Sequence, residues 1–306
     1  MGKKVVITGV NGFIGSHMAQ KCLQGGYDVI GIDINAITAV NEIHYYQLNL
    51  CENCIDDILK SSHPFALIHC AGMADVNYSV KYPDSDFESS VITTRRILYS
   101  LKNSSKETMF IFLSSAGVYG NPIKNPVDES HKKKPISPYA LHKGIVEDIC
   151  QYFVNQYNMD IRILRVFSAY GVGLKKQIFW DMGQRIRKNG RIELFGTGQE
   201  TRDFIYIDDL IYAIQLVMET ERTDEIIYNI ADGIEISIKD VAEIFCRECG
   251  IKNEMISFNG YERQGNPINW CADISKIKKI GFVPKVDIDV GIQRYVEWLR
   301  QIEVIL

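Results

Sequence analysis

The sequence predicts an α/β protein built on a doubly wound parallel sheet, and three observations predict it. Short apolar runs recur through the first half of the chain with helical stretches between them. The first run leads directly into a glycine-rich turn, Gly9-Val10-Asn11-Gly12-Phe13-Ile14-Gly15, and the second ends in an acid, Asp33. Strands that read as continuous apolar runs are buried on both faces, so alternation with helices calls for a sheet covered on both sides.

Taken in order, the strand segments are residues 5–8, 27–33, 45–50, 65–70, 109–114 and 161–167. The first turns sharply at Gly9 and enters a helix near Gly12. Such a turn aims backbone N–H groups and the positive end of a helix dipole at one point, which suits a phosphate. The spacing G-x-x-G-x-x-G has a longer first gap than the dinucleotide fingerprint G-x-G-x-x-G, and an ordinary tight strand-to-helix turn is the other reading. Asp33 weighs against that other reading. It closes the second strand about 20 residues past the glycines, where an acid holds the adenosine ribose hydroxyls of NAD. Its charge would repel a 2′-phosphate, so the sequence leans to NAD over NADP. Together these features predict a Rossmann-type NAD-binding domain over residues 1–168. Beyond residue 168 the elements shorten and Gly-rich turns such as Phe195-Gly196-Thr197-Gly198 appear. Residues 169–306 read as a smaller substrate domain, with a return of 208–230 to the first.

Composition excludes several classes. The 306 residues carry a net charge of −4 at pH 7 and no Lys/Arg stripe beyond the short run ending at Lys134, which argues against nucleic acid as a partner. No apolar stretch reaches the roughly 18 residues of a membrane span, and the N-terminus runs straight into a strand, so a cytoplasmic protein with no membrane partner is expected. The 8 cysteines fit reduced thiols. Cys51/Cys54 and Cys246/Cys249 have C-x-x-C spacing, but the second pair falls inside the helix expected over 237–249, where i and i+3 simply share a face. No metal site is expected.

The chemistry centres on Ser115, Tyr139 and Lys143. Ser137-Pro138 reads as an N-cap followed by proline at the first helical position. Tyr139 and Lys143 are then i and i+4, one turn apart on one face. A phenol is a poor base at neutral pH, and a fixed ammonium together with a cationic nicotinamide could favour the phenolate. Ser115 follows the strand at 109–114, at the carboxyl edge where ligands bind in such sheets. Its hydroxyl can hydrogen-bond the oxygen that Tyr139 deprotonates.

Gly9-x-x-Gly12-x-x-Gly15, Asp33, His69-Cys70-Ala71-Gly72, Ser114-Ser115-Ala116-Gly117-Val118-Tyr119-Gly120 and Tyr139-x-x-x-Lys143 together resemble the extended short-chain dehydrogenase/reductase superfamily, in its nucleotide-sugar epimerase/dehydratase group typified by UDP-galactose 4-epimerase. The resemblance implies NAD contacts at Gly9, Asn11, Gly12, Phe13, Ile14, Gly15, Asp33, Ile34, Asn49, Leu50, Cys70, Ala71, Gly72, Ser90, Tyr139, Lys143 and Phe167. It implies contacts to a nucleotide-diphosphate sugar at Ser115, Ala116, Ser168, Phe195, Arg202, Arg263 and Trp270. Arg202 and Arg263 would clamp the diphosphate, Phe195 would line the base pocket, and Trp270 would gate the C2 substituent of the hexose. The run from Gly196 to Asp209 is similar to the family's phosphate-binding segment. Asn49 stands where the family has an Asp, and Ser90 and Ser168 where asparagines are common.

Ala116 and Gly117 follow the serine in place of the acid of dehydratases or the cysteine of the GDP-fucose synthase branch. The expectation is therefore a 4-epimerase. An NAD-dependent reductase, dehydrogenase or dehydratase, and a catalytically silent NAD-binding regulatory protein, stay open as alternatives. Helices around 86–102 and 138–157 match those that pair across the two-fold axis in this family, which implies a homodimer.

If Asp33 selects the cofactor by charge, the unaltered protein should bind NAD more tightly than NADP, and Asp33→Ser should narrow the gap. Calorimetric titration of both cofactors checks this, and equal affinities in the unaltered protein would defeat it.

Overall fold

The computed structural model describes residues 2–261, 265 and 267–305. The chain forms two compact units: Met1–Gly120, Lys132–Val166 and Ala213–Tyr228 in the first, and Asn121–His131, Phe167–Tyr212 and Asn229–Leu306 in the second.

In the first unit, mostly apolar runs make parallel strands, buried except for the exposed edge strand at His44–Gln47. They are β1 (Lys4–Thr8), β2 (Asp28–Asp33), β3 (His44–Gln47), β4 (Ala66–His69), β5 (Met109–Ser115) and β6 (Ile161–Val166). With β10 (Ile227–Ile230) they order as β10-β6-β5-β4-β1-β2-β3, a Rossmann-like sheet. The register sets Thr8 against His69 and Ser115 against Val166, so the carboxyl ends of β1, β4, β5 and β6 come to one edge. Helices α1 (Phe13–Gln24), α2 (Asp56–Ser62), α3 (Val76–Lys81), α4 (Pro83–Phe87), α5 (Thr93–Ser104) and α6 (Pro138–Tyr157) cover it. The helix expected over 86–102 keeps helical backbone from α4 through a π turn, Glu88–Ile92, into α5; the π turn carries Ser90, and such turns often mark functional sites.

Helix α6 starts where the sequence places it. The Ser137 hydroxyl accepts the Ala140 N–H at 3.3 Å, Pro138 occupies the first turn, and Asn158 ends the helix in the left-handed region at φ 52°. Its inner face, Val146, Cys150 and Phe153, packs against Phe110, Phe112 and Ile163 of the sheet and Leu98 of α5 in one core.

The second unit holds β7 (Ser168–Tyr170), β9 (Thr201–Tyr206) and β11 (Glu235–Ser237) in one small sheet, and β8 (Ile192–Leu194) with β12 (Ile256–Phe258) in another. Its helices are α7 (Gln177–Asn189), α9 (Ile238–Cys249), α10 (Ser275–Lys279) and α11 (Ile288–Gln301), while α8 (Ile207–Glu219) runs on into the first unit. Asp203 braces the unit from inside. Its buried carboxylate accepts N–H groups of Asp232 at 3.0 Å, Gly233 at 3.1 Å and Ala272 at 3.0 Å.

The unit division differs from an unbroken 1–168 followed by 169–306. Residues 121–131 belong to the second unit because Val127 is stitched there: its N–H donates to Cys271 O at 2.8 Å, and its carbonyl accepts from Asp273 N and Asn229 Nδ2, both at 2.9 Å. Nothing in the local composition of 121–131 signals pairing partners more than 90 residues away in sequence. The segment that rejoins the first unit is Ala213–Tyr228, inside the 208–230 expected.

The ring of Phe153 is fully buried, edge-on to Tyr99 at 5.0 Å and Tyr157 at 5.1 Å. Phe153→Ala should cost about 3–5 kcal/mol of stability in denaturant unfolding. A loss under about 1 kcal/mol, the size of a surface change, would mean that this cluster does not hold α6.

Candidate active site

The glycine turn is built for close approach. Gly9 sits at φ +68°, and a Cβ on Gly15 would stand 2.1 Å from the Gly9 carbonyl oxygen, so α1 can begin directly against the turn only with glycine there. No side chain caps α1 at Gly12, and its first turn has no acid, so the helix supplies no counter-charge of its own to the positive end of its dipole. Phe13 and Ile14 lie in that first turn. Beside it, Asn11 donates through Nδ2 to Ile37 O at 3.1 Å and Tyr45 Oη at 3.3 Å, while its Oδ1 is buried with no partner. A buried acceptor without a donor calls for one from outside the chain.

Asp33 is buried at the end of β2, beside the turn. Its carboxylate accepts the Asn11 N–H at 3.0 Å and the Asn35 Nδ2 at 3.0 Å. Ile34 follows it and is exposed; Leu50 is buried. Asn49 holds its amide oxygen toward Cys51 N at 3.1 Å and its amide nitrogen toward Glu52 at 2.8 Å. At the end of β4, His69 is buried and pushed down to about 3 by burial and the Lys143 charge; it is neutral, bonded to Thr8 Oγ1 at 2.7 Å and Thr94 Oγ1 at 3.1 Å. Burial pushes the next thiol, Cys70, up to about 12, so it is no nucleophile. Ala71 N–H reaches Thr8 Oγ1 at 3.3 Å, and Gly72 takes φ +124°. An uncapped helix start, an orphaned buried acceptor and an acid at the end of β2 fit a dinucleotide.

The structure brings Ser115, Tyr139 and Lys143 together. The Ser115 hydroxyl accepts the Gly117 N–H at 3.1 Å. The Tyr139 backbone N–H donates to the buried Ser79 Oγ at 3.0 Å, which fastens the start of α6 to α3. Lys143 Nζ donates to Leu113 O at 2.8 Å and lies 4.8 Å from the Phe112 ring centre and 5.8 Å from that of Tyr139. Burial lowers Lys143 to about 8, partly offset by Asp86. Tyr139 goes the other way from what catalysis needs: burial raises its phenol to about 12, against a lowering hydrogen bond from Ser115 and with a further raising effect from Asp86. The neighbouring ammonium therefore does not bring the phenol down by itself. Desolvation of the phenolate outweighs it, and an additional positive charge is required.

Two features of this neighbourhood were not read from the sequence. Glu147, one turn past Lys143, is buried and salt-bridged to Arg165 at 2.8 Å while accepting Ser114 Oγ at 2.6 Å. This ties α6 to the ends of β5 and β6; burial lowers the Arg165 guanidinium, but that carboxylate and Tyr119 outweigh it and leave it above its usual range. Asp86 of α4 bonds His142 of α6 at 2.6 Å. His142 falls inside the stretch holding Tyr139 and Lys143, and its i+3 spacing was the available signal; Asp86 gave none.

In the second unit, Arg202, Trp270 and Phe167 cluster. Arg202 donates through Nη1 to Thr201 O at 2.7 Å and Ile268 O at 3.1 Å, with its guanidinium 5.7 Å from the Trp270 ring centre. Burial lowers Arg202 to about 10, with the Glu200 charge opposing. Trp270 is half-buried and meets the buried Phe167 edge-on at 5.9 Å. Ser168 is paired with Phe204 at the start of β7, and Phe195 is 44% exposed. The Thr197 and Gly198 N–H groups, which the phosphate-binding reading of this run leaves open, both donate to Glu200 at 2.9 Å. A carboxylate of the chain closes that turn, so within the run Arg202 is the group with charge to offer. Arg263 lies outside the described residues, as do its two neighbours. Ala116 is buried directly after Ser115. Among the described residues there is no group of three or more potential metal ligands, and no helix is long and apolar enough to cross a membrane.

The sheet order, the uncapped α1 and the Ser115/Tyr139/Lys143 set define an enzyme of the dinucleotide-dependent sort. The profile of the NAD dependent epimerase/dehydratase family matches residues 5–231, and the chain belongs to that family. A Methanocaldococcus jannaschii protein provisionally named UDP-glucose 4-epimerase is 30% identical, with 97% of this chain and 98% of that one covered. The dTDP-D-glucose 4,6-dehydratase of Bos taurus is 26% identical, covering 98% and 89%. Among solved structures, the Thermotoga maritima UDP-glucose 4-epimerase with UDP-glucose superposes with a TM-score of 0.90 at 26% identity, covering 98% and 99%. The cofactor of the family is NAD.

Because Lys143 loses its proton through about pH 8, NAD affinity should weaken as pH rises through that value if the ammonium holds the cofactor. Fluorescence titration of NAD against pH reads this. Lys143→Met should bind weakly at every pH with the step gone, and an unchanged step in that variant would assign it to another group.

Proposed function

We propose that this protein is an NAD-dependent nucleotide-sugar 4-epimerase. The observation that carries the reading is the half-buried Ser115/Tyr139/Lys143 set followed by Ala116 and Gly117, which supply neither a carboxylate nor a thiol. NAD, when bound, supplies a hydride acceptor and then a hydride donor at the sugar C4, together with a positive charge on its nicotinamide. Gly9, Asn11, Gly12, Phe13, Ile14 and Gly15 would hold its phosphates, and Asp33 and Ile34 its adenosine ribose. Asn49, Leu50, Cys70, Ala71, Gly72, Ser90 and Phe167 would line the remainder.

Tyr139 accepts the proton of the C4 hydroxyl and returns it at the end of the cycle. Ser115 donates to the same oxygen and keeps it on Tyr139. Lys143 adds the positive charge that, with the nicotinamide, brings the phenol down from about 12. Arg202, with Arg263, would clamp the diphosphate through bidentate contacts. The absence of an acid directly after Ser115 favours return of the hydride over loss of water, and the dehydratase relative makes the latter the competing reading. The pairing helices α5 and α6 would form a homodimer.

Two outcomes test this. Incubated with UDP-glucose, the protein should yield the 4-epimer by product chromatography, and Tyr139→Phe should lower turnover at least about 100-fold while NAD binding persists. A 4-keto-6-deoxy product, or near-normal turnover in Tyr139→Phe, would remove the epimerase reading. If Trp270 gates the C2 position, the unaltered enzyme should exclude N-acetylated sugars because an added acetamido group overpacks the site, and Trp270→Ser should admit them. Equal rates on both sugars in the unaltered enzyme would show that Trp270 is only packing.

A further inference from the structure

Helix α6 carries three polar groups at i, i+3 and i+4 on one face: Tyr139, His142 and Lys143. The first and third belong to the proposed chemistry and His142 does not. Its Nδ1 lies 2.6 Å from Asp86 Oδ2, the Asp86 side chain is fully buried, and His142 is 6% exposed. Phe87 closes over the imidazole edge-on at 5.3 Å. The second oxygen, Asp86 Oδ1, is buried with no partner.

A packing role alone is a poor account of this pair. Burying a carboxylate carries a heavy desolvation cost, and structural carboxylates offset it by filling their lone pairs. Glu147 on the same helix does so with Ser114 and Arg165. Asp86 fills only one side. A half-satisfied buried carboxylate keeps its field unscreened, and that field reaches both functional groups: Asp86 acts on Tyr139 and on Lys143, raising each.

We propose that Asp86 and His142 are positioning residues that set the charge balance of the Tyr139–Lys143 couple, with Asp86 as the counter-charge that keeps Lys143 protonated and His142 as the clamp that holds Asp86 in place. This rests on the reading of Tyr139 and Lys143 as the reacting couple. Lys143 is otherwise surrounded, from the end of β4, by neutral His69 and the Cys70 thiol. From its own helix it meets Tyr139, Glu147 and Cys150. Glu147 is already neutralised by Arg165, which leaves Asp86 as the less compensated of the two carboxylates near the ammonium. The arrangement carries a trade-off: the same charge that keeps Lys143 protonated opposes ionisation of Tyr139, so the couple depends more strongly on the positive charge that arrives with the cofactor.

The test titrates Lys143 directly in the cofactor-free protein by NMR of 13Cε-labelled lysine, with Lys143→Arg assigning the resonance. In the unaltered protein the midpoint should fall near about 8. Asp86→Asn keeps the shape and removes the charge, and it should lower the midpoint by at least about half a pH unit. His142→Gln keeps a neutral donor beside a charged Asp86 and should leave the midpoint in place or raise it. An unmoved midpoint in Asp86→Asn, or an equal drop in both variants, would overturn the proposal and reduce the pair to packing. Should Asp86→Asn fail to fold, Asp86→Ser takes its place: the same drop of at least about half a pH unit supports the proposal, and an unmoved midpoint overturns it. None of these readings depends on turnover, so loss of the epimerase assignment through Tyr139→Phe would leave them standing.

Discussion

The hydrogen bond from the half-buried Lys143 ammonium to the Leu113 carbonyl is the constraint on which the site depends. It joins the face of α6 to the end of β5, beside the core that α6 shares with the sheet. Desolvation lowers the ammonium to about 8 and raises the Tyr139 phenol to about 12, so burial works against the charged form of both groups. At Lys143 the Asp86 charge offsets part of that effect, and at Tyr139 it adds to it. Ser79 and Ser137 fix the first turn, Glu147 and Arg165 anchor the next turns to β5 and β6, and Asp86 supplies a negative charge. A chain with the same Tyr and Lys on a solvated helix would have a surface pair worth a few tenths of a kcal/mol and no chemistry.

The cofactor end obeys a different constraint, set by backbone geometry rather than charge. Gly15 is the point at which α1 meets the turn after β1, and a methyl group there would collide with the Gly9 carbonyl. Because the helix starts that close, Asp33 at the end of β2 reaches the Asn11 N–H, and the orphaned Asn11 oxygen ends up within the same small region. The negative carboxylate and the positive helix start then stand side by side, a match for a ribose and a diphosphate in sequence.

In the second unit the balance is between an arginine that has no salt-bridge partner among the described residues and a loop that closes on itself. Glu200 takes the N–H groups of its own turn, while Arg202 donates to two carbonyls beneath Trp270 and is destabilised by burial. A half-buried guanidinium held by two carbonyls, with the Phe167 and Trp270 rings beside it, has neutral partners around its charge.

The strand positions, the glycine turn, Asp33 and the Tyr139/Lys143 pair were legible in the sequence by itself, because each depends on local periodicity, a fixed spacing or a residue with few alternative uses. Strands β1 to β6 lie within a few residues of their expected positions for that reason. What the tertiary structure alone decided were relations between segments distant in sequence. The π turn within the 86–102 helix has no Gly or Pro inside it to mark it in the sequence. The transfer of 121–131 to the second unit rests on bonds from Val127 to residues past 228. The direction of the Tyr139 shift depends on how much water the whole core excludes, and the Asp86–His142 bond joins residues 56 apart. Burial and long-range partners are properties of the packed chain, and a single sequence without its fold assigns a charge to Asp86 but not the dielectric around it or the groups that feel it.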